Sequence, residues 1–99
     1  MHSSDSPDWP EGVRQQLQLS RQFAAGLIPG LEFETAFLRA RGEAKGSAPP
    51  HVRDVVRRIF YGVDEYVVND DIREPEKGDL DEEQLREIVR TQLRRLDEA

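Results

Sequence analysis

The sequence predicts an all-α protein, a single antiparallel four-helix bundle. Three observations lead there. Four segments of the 99-residue chain carry apolar residues at a helical period. The stretches between them are short and are punctuated by Gly and Pro. No internal repeat or heptad array offers a competing architecture. A chain of this length builds one modest core and not two. Residues 8–99 are therefore expected to form one helical domain behind a frayed, Ser- and Asp-containing tail at residues 1–7.

The first helix is expected to start at Asp8-Trp9-Pro10-Glu11, with Asp8 as cap, Pro10 in the first turn and Glu11 completing a capping box. Val13, Leu17, Ala24 and Leu27 share one face, with Ser20 and Phe23 beside it, and Gly26 and Pro29-Gly30 end the helix near Leu27 or Ile28. A short second helix is expected from about Leu31 to Arg41, burying Phe33, Ala36, Phe37 and Ala40. Gly42 to Pro50 has no periodicity and reads as a loop. The third helix, from Pro50 to about Val68, has the clearest stripe: Val52, Val55, Val56, Ile59, Phe60, Val63, Tyr66 and Val67. Its many β-branched residues lower helix propensity, so burial must hold it. Asn69 to Asp79 is polar and broken by Pro75 and Gly78. The fourth helix follows, with Asp81 and Gln84 as a capping box, Leu80 and Leu85 as a staple, and Leu85, Ile88, Val89, Leu93 and Leu96 buried.

Apolar residues are 36% and charged residues 34% of the chain, a balance that supports a folded domain. The absence of cysteine excludes disulfides and thiolate metal sites. No basic region followed by an apolar run opens the chain, and no apolar run is long enough to span a bilayer, so a cytoplasmic location without a membrane partner is expected. The net charge of −6 is concentrated. Residues 64–82 hold nine acids against Arg73 and Lys77, a net of −7, and the remaining segments nearly cancel. A field this local repels phosphate backbones and attracts basic partners, although acid-rich connections are also ordinary solvated loops.

Catalytic chemistry is hard to place. His2 lies in the tail and His51 at a helix start, and no nucleophile motif, phosphate-binding Gly loop or H-E-x-x-H run is present. Asn69-Asp70-Asp71 with Glu74 lacks the spacing of a calcium loop. No enzyme activity, catalytic residue, metal or cofactor is expected. Arg53, Arg57 and Arg58 give the third helix a basic edge beside His51, but acid follows on the same helix, so direct nucleic-acid binding is not expected. Those arginines are expected to pair with nearby acids or to lie along apolar surface.

Protein binding remains. Asp64 borders the apolar stripe of the third helix beside Phe60, and Tyr61 and Glu65 face outward. Asp70, Asp71 and Glu74 follow the helix C-terminus, where carboxylates oppose the macrodipole. A stability cost without structural return suggests function. The alternative is that Arg73 pairs with Asp70 or Glu76 and merely folds the loop down.

The run IFYGVDEYVVNDDIREPEKGDLDEEQLREIVRTQLRRL (Ile59–Leu96) resembles the second half of the colicin D immunity protein family. LSRQFAAGLIPGLEFETAFLRARG (Leu19–Gly42), with its Glu32-Phe33 step, resembles the family's opening pattern. The likeness spans roughly Val13 to Leu96. Pro29-Gly30 stands where the family often caps its second helix with a small hydroxyl residue, the Gly42–Pro50 loop does not align, and Val67 replaces an expected acid. The resemblance implies a bacterial self-protective immunity protein that blocks a cognate ribonuclease toxin, with Asp64 at a toxin-contact position and Asn69-Asp70-Asp71 in the acidic region after it. On this reading the partner is a nuclease toxin domain of colicin-like or contact-dependent type, and the protein is a monomer before binding. Asp64 and Glu65 would reach catalytic His or Lys groups, Asp70, Asp71 and Glu74 would pair with rim cations, and Tyr61 would anchor the interface. Tyr66 lies on the buried stripe and is expected in the core. The competing reading is a small acidic adaptor or regulatory domain that binds a basic protein unrelated to toxins. A DNA mimic fits less well, because the N-terminal half is nearly neutral.

Overall fold

The computed structural model describes residues 8–42, 48–67 and 70–98, for Asp70 by its backbone alone. The expected tail at 1–7, Val68, Asn69 and most of the expected loop at 42–50 lie outside the described residues. Four helices form the bundle: α1 (Glu11–Ala24), α2 (Gly30–Gly42), α3 (Pro50–Glu65) and α4 (Glu82–Glu98). Helix α1 packs on α2 and α4, and α4 packs on α3, so the helices run α2–α1–α4–α3 across the molecule. Helices α2 and α3 scarcely touch.

The core follows the expected stripes with a few shifts. Leu17, Phe23, Phe33, Phe37, Val52, Ile59, Val63, Leu85 and Val89 are fully enclosed, and Tyr66 is buried with them. Phe23 and Phe33 stack in parallel at 4.5 Å between centroids, with Phe37 tilted beyond at 5.4 Å, which welds α1 to α2. Ser20 and Phe23 lie at the centre of the α1 stripe rather than beside it, and the buried Gln16 and Gln92 were not anticipated. Gly62 lets α4 approach α3: a Cβ there would stand 3.1 Å from Leu85 Cδ1.

Helix ends differ from expectation where backbone geometry overrides the apolar period. Helix α1 begins with Pro10 in the cap position and no side-chain cap, so the Asp8–Glu11 capping box does not form. It ends at Ala24, because Gly26 turns left-handed (φ +78°) and closes the helix with Gly26 N–H to Phe23 O and Leu27 N–H to Gln22 O. That turn swings Leu27 out of the core, to 74% exposure. Helix α3 ends at Glu65, three residues before the expected Val68, with Tyr66 extended. The α4 capping box forms as expected: Gln84 N–H donates to Asp81 Oδ1 at 2.7 Å and Asp81 N–H to Gln84 Oε1 at 2.9 Å.

The α1–α2 turn is clamped from α4. Glu82 Oε1 accepts the Gly30 N–H at 2.6 Å, capping α2 where Pro29-Gly30 supplies no hydroxyl. Arg86, with 12% of its side chain exposed, pairs with Glu82 at 3.2 Å and donates from Nε to Phe23 O at the end of α1. Its guanidinium also lies 4.7 Å from the Phe23 ring centroid. Arg90 Nε donates to Ala24 O in the same way. Gly30 is the residue this junction requires, since a Cβ would collide with the Tyr66 hydroxyl and stand 2.8 Å from Glu82 Oε1.

Candidate acidic binding surface

The acidic segment grows out of the C-terminal end of α3. Leu80 N–H donates to Glu65 O at 2.9 Å and Val67 N–H to Leu80 O at 3.0 Å, so a short parallel bridge between Tyr66 and Leu80 closes the base of the connection. Val67 carries the connection through its backbone. Its carbonyl accepts Arg73 Nε at 3.2 Å and Nη2 at 2.9 Å, and its half-buried side chain stands where the resemblance expected an acid. Arg73 does fold the loop down, onto a carbonyl.

Two short 3-10 turns complete the loop, Asp70–Ile72 and Pro75–Lys77. The second is a closed unit. Lys77 N–H donates to Glu74 O, Gly78 N–H to Pro75 O with φ +94°, and Glu74 N–H to Asp79 Oδ2 at 2.9 Å. Residues 74–79 are thus ordered by local backbone hydrogen bonds and by the Asp79 carboxylate.

The six expected site residues separate once their surroundings are known. Tyr61, Asp64 and Glu65 share the last turn and a half of α3 and are all exposed, Tyr61 to 54%. At i, i+3 and i+4 spacing these three side chains are neighbours on one face. Asp64 and Glu65 make no side-chain hydrogen bond or ion pair among the described residues, and the last turn of α3 holds no basic residue to offset them. Glu74 is different: it holds Lys77 at 2.9 Å, so its charge is partly spent inside the loop. Asp71 is exposed in the first 3-10 turn, and Asp70 belongs to the same turn.

Glu76 is exposed and has no cationic partner among the described residues. One surface feature was missed. Ile72 projects an apolar side chain at 65% exposure from the middle of the acid. An exposed Ile flanked by charges in Asp-Asp-Ile-Arg-Glu was the available signal. Of the other acids, Asp79 closes the second turn, Asp81 caps α4 and Glu82 caps α2. Glu82 opens α4 and also links it to a residue far away in sequence.

Among the described residues no group of three His, Cys, Asp or Glu side chains is placed to hold a metal ion, and no helix is long and apolar enough to cross a membrane. His51 is exposed at the start of α3. The arrangement offers an anionic, partly apolar surface on a rigid helix end.

Fold and surface together define a helical-bundle protein that displays acid at one end. The model of the family described as bacterial self-protective colicin-like immunity matches residues 12–96. The chain belongs to that family, and it is accordingly an immunity protein whose partner is a toxin, an inhibitor rather than an enzyme by family. No curated protein matches it.

Proposed function

We propose that this immunity protein blocks the active cleft of a ribonuclease toxin of tRNase type, using the α3 end and the loop after it as a mimic of the phosphate backbone. The observation that carries the reading is the pair Asp64 and Glu65, exposed and without partners among the described residues at a helix end whose dipole disfavours them. A nuclease that cleaves RNA must grip phosphates, so its cleft is basic. Carboxylates presented there exclude the substrate and are drawn in by long-range attraction. Tyr61 and Ile72 supply the apolar area that charge alone lacks, since binding energy concentrates in desolvated anchors. Asp70 and Asp71 meet cations at the rim, and Glu74 contributes more weakly because Lys77 shares it. The inhibitor acts in the cytoplasm, where the toxin would meet its RNA.

The test is growth protection. Co-expressed with its cognate nuclease toxin domain, the wild-type chain is expected to restore colony formation and keep tRNA intact. Asp64→Lys with Glu65→Lys is expected to lose protection while retaining helical circular dichroism. Full protection by that folded variant would remove the proposed surface.

A further inference from the structure

The bundle has a second built feature, along α3 between Arg53 and Phe60. Because α2 and α3 scarcely touch, a pocket of about 360 Å³ opens between them above α1. Its apolar lining comes from Val13 of α1, from Ala48 just before α3, and from Val56 and Phe60 of α3. Gln16 also lines it, at 1% exposure, and its Nε2 is buried with no hydrogen-bond partner among the described residues. A buried donor without an acceptor is uncommon in a folded protein and points to an absent partner atom.

Guanidinium groups complete the pocket. Arg41 lies over the Phe60 ring at 4.0 Å, which fixes its plane and leaves its edge available. Arg53 also lines the pocket, and neither arginine has a carboxylate partner among the described residues. The third, Arg57, is held by Asp54 at 3.4 Å, as Arg58 is at 3.0 Å, so the basic edge of α3 is only partly neutralised by acid. In a chain of net charge −6 this is a local concentration of positive charge around an apolar hollow.

We infer that the pocket binds a small organic carboxylate with an apolar or aromatic body. The body would rest on Val13, Val56 and Phe60. One carboxylate oxygen would accept the Gln16 amide proton, and the fork of Arg41 or Arg53 would take the other. A volume of this size suits a single ring and a short chain. The site does not depend on the toxin reading, and its test uses no toxin.

The probe is 3-phenylpropionate, titrated into the full-length protein while the Gln16 side-chain amide is followed by 15N NMR. A saturable shift of that resonance is expected below about 10 mM ligand, with 3-phenylpropionamide and inorganic phosphate each at least about tenfold weaker. Arg53→Glu and Gln16→Leu are each expected to weaken binding at least about tenfold, and Arg58→Glu, outside the pocket, to leave it unchanged. Arg53 is exposed, so its replacement keeps the test valid if Gln16→Leu does not fold. No saturable shift, or equal binding by the amide or by phosphate alone, would overturn the assignment.

Discussion

Glu82 and Arg86 do more for this fold than their place in the first turns of α4 suggests. One carboxylate caps α2 through Gly30, and the guanidinium it holds caps α1 through the Phe23 carbonyl. Glu82→Ala strips α2 of its cap and Arg86 of one of its two carboxylates, and is expected to cost about 1–3 kcal/mol, read as a lower urea midpoint. Tyr66 sits at the same junction. Burial first, then the nearby Glu82 and Glu34 charges, holds its hydroxyl pKa above the ordinary phenol value. A group whose folded pKa is raised contributes stability that is complete below its unfolded pKa and is lost as pH rises through the folded one. Denaturation midpoints are therefore expected to fall above pH about 10, and Tyr66→Phe to flatten that alkaline limb. The burial of Tyr66 was legible in the sequence, but the links from Glu82 to Gly30 and from Arg86 to Phe23 were not, because each joins residues more than fifty positions apart. Gln16 and Gln92 escaped for a related reason: helical period marks buried positions but expects them to be apolar. The α4 capping box was legible, since all its atoms lie within four residues.

The end of α3 is where stability and binding pull apart. Asp64 and Glu65 occupy the last turn without a compensating base. Asp64→Asn is expected to stabilise the free protein by about 0.3–1 kcal/mol. For a domain of this size such a gain raises Tm by a few degrees, at roughly 4–8 °C per kcal/mol. A drop in Tm would mean that Asp64 has a structural role. The stripe that predicted α3 was accurate through Tyr66 and failed only at its end. Val67 continues the apolar period, yet its N–H goes to Leu80 O across the loop, a pairing no local pattern encodes. Leu27 failed likewise at α1, where the left-handed Gly26 turned the chain before the stripe could be completed. Element identities thus follow from periodicity, whereas their ends follow from backbone partners that arrive from elsewhere.

At the scale of the whole molecule, charge is sorted by position. The acidic end lies beyond α3, while Arg41 and Arg53 face an open side of the bundle, so the net charge of −6 conceals two fields of opposite sign. Acid concentrated at one end should steer a basic partner into register before contact. Association with the toxin is accordingly expected to slow steeply as salt rises, whereas dissociation should change less; stopped-flow measurements across ionic strength check this. The acidic concentration was legible from composition along the chain, and its division into structural and free carboxylates was not. Glu74, Asp79, Asp81 and Glu82 prove to be engaged in the fold, and Asp64, Glu65 and Glu76 are left facing outward. The central claim is that those outward carboxylates on the α3 end hold the toxin. Its most direct measurement is the Kd of Asp64→Lys with Glu65→Lys for the cognate nuclease domain, by calorimetry beside the wild-type chain. A loss of at least about a hundredfold, near 2.7 kcal/mol, is expected, with Tm unchanged or raised. An unchanged Kd in the folded double variant would contradict it.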